Sequence, residues 1–261
     1  MLRTLHISDP RTKDIELTRI LDVTDYRKAY RDKLAVDGLS FHLEPGQVLG
    51  MVGPNGAGKT TTLRAIAGIF RPTSGTLRVS GHDVVQHPRA AKHRLAYVPD
   101  DPHLFEALTV WEHLDFIASA YQVTAFEARG QALLERFDLM PHRDRPAQAL
   151  SRGMRQKLAL CCAWLHEPDL IMLDEPMTGL DPRGIRTLKS AVREELDRGA
   201  AFVISSHQLD LVEDLASHLL ILIEGRRRFF GTMAEARALL ATGQEEHADL
   251  EQIFFHATEA T

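Results

Sequence analysis

The sequence predicts an α/β fold. It has a parallel-sheet core, an antiparallel β subdomain ahead of that core, and a helical insert within it. Three observations carry this reading. Four apolar runs, VLGMV (48–52), LIML (170–173), AFVIS (201–205) and LLILI (219–223), have the length of buried strands. Helix-spaced segments lie between them, and strands alternating with helices indicate parallel pairing. Before the first run, LAVDGLSFHLEPGQVLGMV alternates apolar and polar residues around a Pro45-Gly46 turn, as a hairpin does.

Taken in order, residues 15 to about 49 read as short strands and turns. Val48–Val52 is an apolar strand running into a glycine-rich loop. Residues 60–70 read as a helix, closed by Arg71-Pro72 and a Ser74-Gly75 turn. Residues 76–85 form a hairpin arm and 95–98 a short strand. TVWEHLDFIASAYQ, FEARGQALLERFDL and GMRQKLALCCAWL then place apolar residues at helical spacing, which defines the insert. The later strands are separated by helices such as KSAVREELDRG, and a polar helical tail starts near residue 234. The resulting division is 1–99, a β subdomain plus the first part of the core; 100–166, the helical subdomain; 167–232, the rest of the core; and 233–261, the tail.

Bulk properties exclude several classes. The net charge of −5 is too mild for a polyanion partner, so no nucleic acid is expected. The densest basic run, Arg226-Arg227-Arg228, follows a glycine and reads as a turn and strand start. The two cysteines, Cys161 and Cys162, are adjacent, which rules out a framework of spaced disulfides and fits a reducing compartment. The 13 histidines show no metal-ligand spacing. No signal peptide is visible, and the longest apolar stretches fall short of the ~20 residues a spanning helix needs. A membrane role is therefore expected to come through a partner.

GPNGAGKT (53–60) matches the phosphate-binding pattern G-x-x-x-x-G-K-[ST]. Phosphates need many aligned N–H donors, and Gly53, Pro54, Asn55, Gly56, Ala57 and Gly58 form a loop whose backbone can wrap closely. Lys59 supplies a positive charge to the β- and γ-phosphates, and the Thr60 hydroxyl is placed for Mg²⁺. Thr61 continues into a helix whose positive end faces the anion. A chance glycine-rich turn would lack this strand before and helix after. In LIMLDE (170–175), Asp174 stands at the carboxyl edge of a buried strand, where a Mg²⁺-binding carboxylate belongs. Glu175 follows directly and is placed to orient and deprotonate an attacking water.

With these motifs in place, almost the whole chain resembles the ABC-transporter ATPase family. LSRGMRQK (150–157) resembles its signature motif, MTGLDP (177–182) its D-loop, and SSHQ (205–208) its switch, with His207 as the switch histidine. Tyr97-Val98-Pro99-Asp100 falls at the Q-loop, and Tyr30, five residues ahead of AVDG, resembles the aromatic that stacks on adenine, with Tyr26 as its competitor. The resemblance implies a P-loop NTPase (RecA-like) core with ATP and Mg²⁺ as cofactors, Asp100 on the metal side with Thr60 and Asp174, and a catalytic set of Lys59, Glu175 and His207. It further implies that two chains close head to tail over two nucleotides. Ser151 and Gly153 would donate to the partner's γ-phosphate, and Asp181 would link the two sites. Retention of Glu175 favours a homodimer. VPDD, TVWEHLDF and LSRGM resemble the bacterial exporter-type (ABC-2-like) subgroup, which implies a separate membrane-spanning permease and peripheral attachment at the cytoplasmic membrane face.

The sequence departs from the common pattern at Asp100, where Gln is usual, at Arg152, where Gly is usual, and at Met154, where Gln is usual. Arg152 either adds a cation near the partner's phosphates or points to solvent. Met154 cannot make a glutamine's polar contact. A competing reading is a soluble ABC ATPase serving a cytosolic partner such as a cluster-assembly complex. A regulator that binds without turnover is disfavoured by the presence of Glu175 and His207.

Overall fold

The computed structural model describes residues 19–31, 33–206 and 209–240. Strands β1 (Leu21–Tyr30) and β2 (Lys33–Leu43) form an antiparallel hairpin in which Leu21 faces Leu43 and Val23 faces Phe41. β3 (Val48–Val52) is wholly buried and leads through the glycine-rich loop into α1 (Lys59–Ile66). This helix ends at Ile66 and not at Phe70, because the N–H groups of Ile69 and Phe70 both turn back onto the Arg64 carbonyl. β4 (Ser74–Val79) and β5 (His82–Asp83) complete a four-stranded antiparallel sheet of order β2-β1-β4-β5.

After α2 (Pro88–His93) and β6 (Leu95–Val98) come the helices α3 (Val110–Tyr121), α4 (Phe126–Arg136) and α5 (Arg152–Trp164). The chain then runs through β7 (Leu170–Asp174), α6 (Pro182–Asp197), β8 (Ala201–Ser205), α7 (Leu209–Leu215), β9 (His218–Ile223), β10 (Arg226–Thr232) and α8 (Met233–Leu240). The second sheet has the order β10-β9-β3-β8-β7-β6. All its pairings are parallel except the antiparallel edge of β10 on β9. β3 lies between β8 and β9, so the loop after it opens at the carboxyl end of the sheet's interior, where ligands collect in such folds.

Strand period separates the two faces of this sheet. Ile171 and Leu173 of β7, with Phe202 and Ile204 of β8, face a core shared with α3, α4, α5 and α6. Leu170 and Met172, with Ala201 and Val203, face the antiparallel sheet and α1. Trp164, at the end of α5, ties the helical insert to the sheet, with its ring 6.5 Å from Phe137 and 6.0 Å from Phe202. α3 starts at a reciprocal cap: Thr109 Oγ1 accepts from the Glu112 N–H at 3.1 Å, and the Glu112 carboxylate accepts from the Thr109 N–H at 2.7 Å.

Candidate functional site

The glycine-rich loop, β2 and the carboxyl end of β7 enclose a cleft of about 430 Å³. Asn55, Gly56, Ala57, Gly58, Lys59, Thr60 and Thr61 line its floor. Tyr30, Lys33 and Ala35 stand on one side and Asp100, Asp174 and Glu175 on the other. Gly58 sits at φ +104°, and a Cβ there would meet the Ala35 carbonyl oxygen at 2.9 Å. Only glycine lets the loop lie this close to β2 before it enters α1. Gly53 and Pro54 lie behind the cleft, where their carbonyls accept from Lys59 Nζ at 2.5 and 3.2 Å. Burial pulls the Lys59 ammonium below the ordinary lysine range, and the charges of Glu175 and Asp174 oppose that shift.

Across the cleft, strand register sets the carboxylates. Asp174 pairs with Ser205 in the parallel β7–β8 ladder, and Ser205 Oγ donates to Asp174 Oδ1 at 2.8 Å. Tyr97, on the neighbouring β6, donates its phenol to Asp174 Oδ2 at 3.3 Å. Burial, and then the Asp174 charge, push the Tyr97 phenol up to about 12, so it stays a donor. Asp174 is thus buried with both oxygens oriented. Glu175 adopts a left-handed backbone, φ +49°, anchored by its N–H on the Ser205 carbonyl at 2.8 Å. Ser206 Oγ donates to its carboxylate at 3.2 Å. A non-glycine residue held there costs about 1–3 kcal/mol, and such strain concentrates at functional sites.

The structure separates the two tyrosines. Tyr26 is fully buried, whereas Tyr30 is 41% exposed and lines the cleft, with its ring 5.9 Å edge-on to Phe70 and Lys28 Nζ 4.8 Å from its centroid. The two differ in depth: Tyr26 belongs to the core and its hydroxyl donates to the Thr61 carbonyl at 3.4 Å, whereas Tyr30 is the last residue of β1. Ser151 and Asp181 cap α5 and α6: Ser151 Oγ accepts from Met154 N–H at 3.3 Å, and Asp181 Oδ1 from Gly184 N–H at 2.8 Å. Ser151, Gly153 and Asp181 do not line this chain's own cleft. His207 lies outside the described residues.

Sequence reasoning assigned no site role to Tyr97, Ser205, Ser206, Lys33 or Ala35. Ser205 and Ser206 open the SSHQ segment and were within reach of a guess at strand alignment. Ala35 opens the AVDG segment used to place Tyr30, and nothing local marks Lys33.

A second, apolar groove lies beside β6 and α3, bordered by Ile69, Leu104, Phe105, Phe116, Tyr121 and Cys162. Phe105 and Phe116 pack 5.1 Å apart there while remaining 55% and 47% exposed. Trp111 does not join them; it packs against Phe126 and beneath the Arg143 guanidinium.

Residues 36–178 match the family model described as ABC transporter. The chain belongs to the ABC transporter ATP-binding family. It is 39% identical over 209 residues to the Nod factor export ATP-binding protein I of Burkholderia pseudomallei (strain 1710b), covering 79% of this chain and 69% of that one. It is 36% identical over 220 residues to the ABC-type transporter ATP-binding protein EcsA of Bacillus subtilis (strain 168), covering 84% and 89%. A solved structure described as the ATP-binding subunit of an ABC transporter superposes with a TM-score of 0.87 at 32% identity, covering 92% of this chain and 99% of that one. This ABC ATP-binding subunit is accordingly an ATP-hydrolysing enzyme with the P-loop NTPase (RecA-like) fold. Among the described residues, no helix of the subunit is long and apolar enough to cross a membrane.

Proposed function

We propose that this subunit powers export through a separate membrane-spanning permease and works as a homodimer that closes on ATP. The observation that carries the nucleotide half of this reading is a buried ammonium, Lys59, in a glycine-lined cleft opposite a buried, doubly oriented carboxylate, Asp174. That donor and acceptor set fits Mg²⁺-ATP. Lys59 and the 53–58 backbone would hold the phosphates, Thr60 and Asp174 the metal, and Tyr30 the adenine. The bound metal would neutralise charge on the phosphates. Glu175, placed by its strained backbone and by Ser206, takes a proton from the attacking water, and His207 completes the catalytic set. Ser151 and Gly153 act across the dimer on the partner's nucleotide, with Asp181 between the two sites. The division into 1–99, 100–166, 167–232 and 233–261 belongs to this reading, with the 100–166 part carrying motion to the permease.

Export is supported by the similarity to a Nod factor export subunit. The exposed aromatic groove beside α3 fits an apolar segment of the permease, which would hold the subunit at the cytoplasmic membrane face. The test is to tag the Glu175→Gln form in its native cell, solubilise the membranes with Mg-ATP present, and identify what co-purifies. A polytopic membrane protein at near-equal stoichiometry supports the proposal. Recovery only with soluble companions moves the assignment to a cytosolic ABC ATPase.

A further inference from the structure

Two departures from the family pattern meet in space. Asp100 lines the phosphate cleft, and its Oδ1 lies 3.4 Å from Nη2 of Arg152, the first residue of α5. The Arg152 stem runs across the loop after β7, where a Cβ on Gly179 would lie 3.3 Å from Arg152 Cγ and 3.4 Å from Cδ. Beside it, a Cβ on Gly153 would lie 2.3 Å from the Gly179 carbonyl oxygen, so the start of α5 touches this loop backbone to backbone. Farther along α5, Lys157 Nζ lies 3.8 Å from Asp181 Oδ1. Two segments distant in sequence, around Asp100 and around Gly179, therefore meet the Arg152 side chain. The sequence leaves Arg152 either near a partner's phosphates or in solvent; within one chain its half-exposed guanidinium meets Asp100. The side chain is engaged within its own chain.

Both members of the pair are about half exposed, so their attraction is screened and adds little to stability. Its consequence is electrostatic and positional. A carboxylate at position 100 adds negative charge beside a triphosphate, and the guanidinium offsets it. We propose that Arg152 is a positioning residue for the nucleotide site of its own subunit, compensating and orienting Asp100 so that the cleft's charge is set by the placement of α5. This rests on the reading that the cleft holds Mg²⁺-ATP.

The test is a double-mutant cycle on nucleotide binding, read with fluorescent trinitrophenyl-ATP plus Mg²⁺ on the full chain, dilute enough to stay monomeric. Arg152→Gln is expected to weaken binding about two- to five-fold when Asp100 is present. It is expected to have no effect in the Asp100→Asn background. Arg152→Lys should restore binding, and the Arg152→Gln defect should shrink in high salt. Circular dichroism confirms that each variant is folded. An equal loss in both backgrounds, or no loss in either, overturns the proposal while leaving the nucleotide site intact. Failure of the unmodified protein to bind the probe overturns the nucleotide reading and this proposal together.

Discussion

At the level of single residues, the chemistry depends on side chains whose freedom has been removed. Glu175 is held by its backbone, by Ser205 and by Ser206, so replacing its carboxylate changes chemistry more than shape. Glu175→Gln should lower ATP turnover at least ~100-fold while nucleotide binding persists. Phosphate release and equilibrium binding, measured on the same preparation, check this. A variant that turns over normally would remove Glu175 from the mechanism. Tyr97 offers a finer probe. Tyr97→Phe deletes one of the two donors to Asp174 and should shift the Mg²⁺ concentration needed for half-maximal activity, with little change in turnover at saturating metal. His166 supplies a pH signature. Its Nε2–H donates to the Leu95 carbonyl at 3.2 Å, its ring stacks on Tyr121, and burial pushes its pKa down from 6.5 to about 4. The folded state therefore resists protonation, so its contribution is complete above the unfolded value and is lost as pH falls from about 6.5 to about 4. Melting temperature against pH should fall less steeply in that window for His166→Asn than for the unmodified protein.

At the level of elements, the helical insert shares a continuous buried core with the sheet, and Trp164 sits within it. Trp164 is 1% exposed and links the end of α5 to Phe137, just past α4, and to Phe202 of β8. Trp164→Ala should cost about 3–5 kcal/mol by urea denaturation, because the rigid neighbours cannot close the void. Thr109→Ala removes the side-chain half of the α3 cap and should cost ~1 kcal/mol. A Thr109→Ser variant that keeps the unmodified stability would show that the loss belongs to the cap. Element boundaries were readable where they coincide with apolar runs, as at β3, β7, β8 and β9. They were least readable where turns decide: α1 stops at Ile66 because amides farther on bond to a single carbonyl, a detail no spacing encodes.

At the level of the whole molecule, two cores on opposite faces of one sheet hold the glycine-rich loop, Asp174 and Glu175 around a single cleft. Ser151 and Gly153 lie off that cleft, and the proposed head-to-tail pair would bring them to the partner's nucleotide. The Glu175→Gln protein should double its mass in light scattering on addition of Mg-ATP and revert when the metal is chelated. A constant monomer mass would argue against closure by head-to-tail pairing. The phosphate loop, the acidic strand end and the family itself were legible in the chain because each is encoded within a few consecutive residues. The donors that orient Asp174, the burial of Tyr26 against the exposure of Tyr30, and the pairing of Asp100 with Arg152 were not. Those depend on register between strands and on contacts between residues far apart in sequence, and such geometry exists only once the sheet has assembled and its two cores have closed.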